Sequence, residues 1–169
     1  FSFIGGGFQN RATGSSSTIG GGDVNRAEAC WTTIAGGRCN TALAAYAASL
    51  GGVMNDATGG YSTVSGGYDS TASGTYSSVS GGYQNTASGT RSFIGGGCRN
   101  TSTSNGSTVG GGHVNSASGA CSFVGGGQSN TASNGWAVAV GGINNVASGG
   151  YSVIAVSYTH LTLPTNREV

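Results

Sequence analysis

The chain has no lysine, a single proline, a single methionine and only 7% charged residues, six arginines against five carboxylates in 169 residues. The missing lysine excludes lysine-dependent chemistry. The net charge of +1 supplies no basic field for nucleic acid and no acidic tail, so nucleic acid is not an expected partner. No stretch approaches the eighteen or more apolar residues of a membrane-spanning helix, and no direct membrane insertion is expected of this segment. The chain opens at Phe1 with neither a methionine nor a signal peptide, so its cellular address is not written in it.

What the chain has in excess is glycine, 35 residues of it, and the glycines fall at a fixed period. Alignment on Phe3-Ile4-Gly5-Gly6, Thr18-Ile19-Gly20-Gly21, Thr63-Val64-Ser65-Gly66 and Phe93-Ile94-Gly95-Gly96 gives a repeat of 15 residues. Ten copies start at Ser2, Ser17, Thr32, Ala47, Ser62, Ser77, Ser92, Ser107, Ser122 and Ala137 without insertion, and an eleventh starts at Ser152. The consensus is S-T/F-I/V-G-G-G-x-x-N-x-A-S-G-x-aromatic. Its fifth and sixth positions are glycine in all ten copies, and its ninth is asparagine in nine, with Ser70 the exception.

Such a register makes each repeat one identical structural step. Paired glycines exclude the helix pairs of ankyrin-like units, because glycine costs about 1 kcal/mol at each helical position. Two short extended segments and two turns remain, so the expected fold is all-β, a parallel β-solenoid of ten 15-residue coils with two short strands each. The strands are placed at positions one to four and nine to twelve, Ser62 to Ser65 and Ser70 to Ser73 in one copy, with turns at Gly66 to Asp69 and Gly74 to Tyr76. Strand alternation points the first, third and eleventh positions inward and the second, tenth and twelfth outward. Ile4, Ile19, Ile34, Val64, Val79, Ile94, Val109 and Val124 should then form one internal column. The paired glycines (Gly6, Gly7, Gly21, Gly22, Gly66, Gly67, Gly81, Gly82, Gly96, Gly97) supply the positive φ of a tight corner. Asn10, Asn25, Asn40, Asn55, Asn85, Asn100, Asn115, Asn130 and Asn145 form a ladder that bridges the turn to the next coil through side-chain amides. At about 4.8 Å per coil, ten coils make a rod on the order of 48 Å long.

No constellation for catalysis is found, and no catalytic, cofactor-binding or metal-binding residue is assigned. The acids Asp23, Glu28, Asp56 and Asp69 share no cleft position, and His113 sits at a turn position that elsewhere holds Phe8, Tyr68 or Gln128. The glycine triplets are followed by a strand rather than the helix that a phosphate cradle needs. Cys30 and Cys39 stand at the fourteenth and eighth positions of successive coils, and Cys98 and Cys121 at the seventh and fifteenth. Those corners are too far apart for a disulfide, so unpaired thiols are expected.

Two surface patterns remain. The fifteenth position carries Trp31, Tyr46, Tyr61 and Tyr76 on four consecutive coils, then Arg91, with Trp136 and Tyr151 later. That is an aromatic ladder, read first as a corner-filling stack and second as a platform for sugar rings. The tenth and twelfth positions form a hydroxyl array in five successive coils: Thr71/Ser73, Thr86/Ser88, Thr101/Thr103, Ser116/Ser118 and Thr131/Ser133. The array is similar to those of antifreeze solenoids and gives ice binding as an alternative function. Arg11, Arg26, Glu28, Leu43, Asp56 and Val146 interrupt it elsewhere.

The strings Ala137-Val138-Ala139-Val140-Gly141, Ala147-Ser148-Gly149 and Tyr151-Ser152-Val153-Ile154 resemble the head repeats of trimeric autotransporter adhesins. The repeat style is also similar to that of some bacterial surface proteins and phage tail fibres. The resemblance covers the first 155 residues. It implies a left-handed β-roll with three chains side by side, an extracellular location at a bacterial cell surface or virion tail, and a host-surface receptor or glycan as partner. A homotrimer is also expected from burial, since one branched residue and one alanine per coil are little to set against the ordering of fifteen residues. The outward second-position residues Phe3, Phe93, Phe123 and Val138 and the aromatic ladder are the surfaces to be covered. The expected function is a structural and adhesive repeat rod.

The register ends at residue 155. Val156-Ser157-Tyr158-Thr159-His160-Leu161-Thr162-Leu163-Pro164-Thr165 resembles one reading frame of a transposase adapter used in sequencing-library preparation. Residues 156–169 are therefore read as a non-native artefact tail, and residues 1–155 as a repeat fragment with both natural ends missing.

Overall fold

A computed structural model describes residues 1–155, and the adapter-like segment, Val156 to Val169, lies outside the described residues. The described chain is all strand and turn. One strand per coil falls at the second and third positions, from Phe3–Ile4 to Val153–Ile154, and these stack into an eleven-stranded parallel sheet. The other falls at the tenth and eleventh positions, from Arg11–Ala12 to Val146–Ala147, and gives a ten-stranded parallel sheet. Each residue pairs with the one a repeat later, Thr18 with Thr33 and Ala72 with Ala87. The molecule is thus a β-solenoid whose step is one repeat, as the unbroken period predicts.

The strands are two residues long, where four were expected, because the coil has three sides rather than two. The segment assigned to one long turn contains a third column of single pairings at the seventh position, from Phe8 with Asp23 to Gln128 with Ile143. Positive φ on both sides of that residue isolates it: in one coil Gly67 has φ 97° and Asp69 φ 53° around Tyr68. Of the paired glycines only the second adopts a left-handed φ in every coil, between 83° and 97°. The other left-handed corners fall on the eighth and fifteenth positions, where Val114 has φ 55°, Trp31 56° and Tyr46 61°. Such angles are costly for side chains of this kind, and the inter-coil network holds them. The Val114 N–H donates to the Cys98 carbonyl at 2.9 Å, and the Trp31 N–H to that of Ser15 at 2.9 Å.

The interior is a narrow seam between two columns. Ile19, Ile34, Val64, Val79, Ile94, Val109 and Val124 are fully buried against Ala27, Ala42, Ala57, Ala72, Ala87, Ala117 and Ala132. Ile4 departs from the expected column: it is 42% exposed, because the first coil is covered on one side only. First-position hydroxyls also point inward. Thr32 and Ser107 donate to the carbonyls of Ala29 and Ser104 at 2.9 and 2.7 Å, whereas the Oγ atoms of Ser17, Ser62, Ser77, Ser92 and Ser122 have no partner. Ser102, the one eleventh-position residue that is not alanine, lies 2.7 Å from the Ser107 hydroxyl.

Ser49 is the weak point of the branched column. It stands between Ile34 and Val64 in register, is fully buried, and its Oγ has no partner. Ser49→Val restores the apolar column and removes a desolvated hydroxyl, and should stabilise the chain by about 1–2 kcal/mol. Urea unfolding checks this, and an unchanged or lower midpoint would contradict the packing argument.

Candidate interaction faces

What fixes the outer surface is the asparagine ladder. Its interior members, from Asn25 to Asn130, are buried, and their bonds run mainly to backbone rather than from amide to amide. Asn100 shows the pattern: its Nδ2 donates to the Gly96 carbonyl at 2.9 Å and to the Gly112 carbonyl of the next coil at 3.0 Å. Its Oδ1 accepts the Asn115 N–H at 2.9 Å. Such a rung ties the fifth-position carbonyl of its own coil to the sixth-position carbonyl and the ninth-position N–H of the next. Of these bonds Ser70 keeps the vertical one, its Oγ accepting the Asn85 N–H at 3.2 Å, and it donates to the Tyr68 carbonyl of its own coil at 3.4 Å.

The sixth-position glycines are required by the stacking itself. A Cβ on Gly97 would overlap the Gly112 carbonyl oxygen and lie 2.6 Å from the Asn100 Nδ2. The fifth-position glycines are different. A Cβ on Gly21, Gly36, Gly66, Gly111 or Gly141 meets nothing within 4 Å, while at Gly6, Gly51, Gly81 and Gly96 a φ of 151° to 159° itself favours glycine.

Three kinds of outer surface follow. The first is the corner at the fifteenth position, where Trp31, Tyr46, Tyr61 and Tyr76 stack with centroid separations of 4.9, 4.6 and 4.9 Å and interplanar angles of 6°, 7° and 16°. Trp136 and Tyr151 repeat the arrangement at 5.1 Å. The rings cover one another's faces, so the ladder offers solvent its edges and hydroxyls. Face-on stacking of a sugar is left only to the two end rings.

The second is the column at the seventh and eighth positions. Tyr68 and Tyr83 stack there at 5.4 Å, a pair the sequence reading passed over although its spacing is the same fifteen residues. Gln84 bridges Asp69 and Arg99 on successive coils, donating to one at 2.9 Å and accepting from the other at 3.2 Å.

The third is the side built by the tenth and twelfth positions. Thr71, Thr86, Thr101, Ser116 and Thr131 lie in register and are half-buried, while Ser73, Ser88, Thr103 and Ser133 are exposed. Ser118 departs from the expected row of outward twelfth-position hydroxyls: it is half-buried. Ser104 of the preceding coil donates its hydroxyl to the Ser118 carbonyl at 2.6 Å, where most other coils have a glycine at that thirteenth position. The array is therefore uneven at Ser118. None of the array's hydroxyls donates to or accepts from another described residue. At the array's interruptions Thr41 bonds to Asp56, and Glu28 holds Arg11 and Arg26 at 3.1 and 2.9 Å.

Of the outward second-position residues, Phe3, Phe93 and Phe123 are exposed. Each ring lies beside the glycine two residues on, with ring carbons 3.4 to 3.6 Å from where a Cβ would stand on Gly5, Gly95 or Gly125. Val138 differs from the expectation in being half-buried. The thiols of Cys30, Cys39, Cys98 and Cys121 are free. Among the described residues no three His, Cys, Asp or Glu side chains gather as a metal-binding group, and no helix is long and apolar enough to cross a membrane. A scan against known protein families and a search of the curated proteins each return no match.

Proposed function

We propose that this chain is a structural and adhesive rod of a bacterial cell-surface adhesin or phage tail fibre, assembled as a homotrimer and binding a surface receptor or glycan along its flank. The observation that supports this reading is the division of labour within each coil. The buried positions repeat almost without change, while the outer seventh position, exposed in eight of ten coils and half-buried at Val53 and Cys98, differs from coil to coil: Phe8, Asp23, Arg38, Val53, Tyr68, Tyr83, Cys98, His113, Gln128, Ile143. A constant frame carrying a varied outer column is the arrangement by which solenoids present a binding surface.

The test is binding of the labelled chain to epithelial and bacterial cell surfaces. Saturable binding to one of them is expected, weakened at least tenfold when Tyr68 and Tyr83 are both replaced by serine. A folded rod with no saturable binding to either would overturn the adhesive reading. The alternative, ice binding, draws on the unpartnered, in-register hydroxyls of Thr71, Thr86, Thr101 and Thr131. It requires thermal hysteresis at micromolar concentration, abolished by bulky residues at Thr86 and Thr101. No hysteresis is expected, and its detection would reverse the ranking.

A further inference from the structure

The chain holds two Asn-Gly pairs, Asn105-Gly106 and Asn134-Gly135, both in the turn that closes a coil. An asparagine followed by glycine is open to attack by the chain on itself, because no Cβ on the second residue shields its nitrogen. The two pairs are equals in sequence, yet they stand one step apart in the coil: Asn134 is at the thirteenth position and Asn105 at the fourteenth.

That step decides how the following nitrogen is engaged. The fifteenth-position N–H donates to the fourteenth-position carbonyl of the coil before, from Trp31 to Ser15 at 2.9 Å through to Tyr151 to Gly135 at 3.1 Å. Gly106 follows this pattern and donates to Thr90 at 2.9 Å. No fourteenth-position N–H donates to a backbone carbonyl among the described residues. Gly135 occupies that spare position, and its N–H donates instead to Oδ1 of Asn134 at 2.8 Å, which brings nucleophile and side-chain carbonyl together. The Asn134 amide is steadied from its other end, where Nδ2 donates to the Ser148 carbonyl at 3.2 Å. Asn134 is exposed to water, and a Cβ on Gly135 would meet only the Ala120 carbonyl oxygen at 3.8 Å, so ring closure has room. After the ladder asparagines Asn10 to Asn130, and after Asn144, the next nitrogen is already bonded to another coil.

We propose that Asn134-Gly135 is a self-modification site, at which the rod converts its own asparagine to aspartate and isoaspartate while Asn105-Gly106 is spared. The Gly135 nitrogen gives its proton to solvent hydroxide and bonds to Cγ of Asn134. The Cγ–Nδ2 bond then breaks, and Nδ2 takes a proton from water and leaves as ammonia. The succinimide that remains adds one water. Opening between the Gly135 nitrogen and Cγ gives aspartate, whereas opening between that nitrogen and the main-chain carbonyl carbon of Asn134 gives isoaspartate, whose backbone runs through Cβ and Cγ. Either product sets a carboxylate where Nδ2 had donated to the Ser148 carbonyl, and isoaspartate also lengthens the coil by a backbone atom. The joint between the ninth and tenth coils is thereby loosened, in one direction only and at a rate set by the fold.

The test holds the full chain in warm, mildly alkaline buffer and weighs its chymotryptic peptides, since cleavage after Phe123 and Trp136 separates the two sites. The Asn134 peptide should gain about 1 Da and become a substrate for an isoaspartate-specific methyltransferase. It should do so at least about ten times faster than the Asn105 peptide, because releasing the Gly106 N–H from its inter-coil bond costs roughly that factor. In urea that unfolds the chain, the two rates should converge. Gly135→Ala should slow the reaction at Asn134 with the circular dichroism unchanged, alanine already standing at that position as Ala45 and Ala120. The proposal is overturned by equal rates in the folded chain, by faster reaction at Asn105, or by a folded chain inert at both sites. A preference for Asn134 that persists in urea would overturn it too, by tracing the selectivity to neighbouring sequence, as would an undiminished rate in the Gly135→Ala variant.

Discussion

Replacing Gly97 with valine should be the most damaging single change in the rod. The new side chain faces two obstacles at once: φ is +88°, and the Cβ would overlap the Gly112 carbonyl oxygen while approaching the Gly112 nitrogen to 2.8 Å. Both neighbours are backbone of the next coil, so no side chain can swing aside, and relief requires the coils to separate locally. Left-handed strain in a β-branched residue costs about 1–3 kcal/mol, and breaking the stack at one interface adds several more. Stability in a solenoid is a sum over neighbouring interfaces, so the rod should divide there into two shorter blocks. Denaturant unfolding should change from one transition to two, or shift by at least about 4 kcal/mol. A single transition at the wild-type midpoint would contradict the stacking geometry.

The second large effect is expected at Asn100, whose side chain makes three bonds while fully buried. Asn100→Ala leaves the Asn115 N–H without its acceptor, removes one donor from each of two glycine carbonyls and opens a void. A buried orphaned donor costs about 1–3 kcal/mol, and with the void the loss should reach about 3–5 kcal/mol. Asn100→Ser should cost less, because Ser70 shows a serine oxygen taking over the vertical bond at 3.2 Å. Hydrogen exchange gives the direct reading: the Asn115 amide should exchange much faster in the alanine variant than in the serine one. Equal exchange in the two would mean that the rung's oxygen is not what protects that amide.

The features legible in the sequence were those set by period. The spacing of Ile19, Ile34 and Val64 and the alternation around Ala27 and Ala42 placed both strand columns and both walls of the seam, because side-chain direction in a strand has a period of two. The third side was not legible. A lone extended residue between two left-handed corners has no pattern of its own, and one of those corners carries residues such as Val114 and Met54 that ordinarily avoid positive φ. Only the fixed hydrogen-bond demands of the neighbouring coils make that conformation acceptable. The two glycines of each pair were likewise read as one turn signal. Coordinates separate them, because only the sixth position meets the next coil's backbone. The Tyr68 and Tyr83 stack was available from spacing alone and was hidden by the variety of its column.

The step of one repeat per coil makes rod length a quantised property. Loss or duplication of fifteen consecutive residues returns every later residue to a position of its own kind, so an internal crossover in the gene could shorten or lengthen the rod by about 4.8 Å with its seam, ladder and outer faces intact. Loss of a single residue has the opposite result. It would leave one coil a residue short, so that its inward columns or its sixth-position glycine fall out of line with the coils on either side, although every later repeat keeps its own period. Reach can therefore vary between related rods while register cannot, and a lineage under selection for distance has a ready supply of neutral lengths from which to choose.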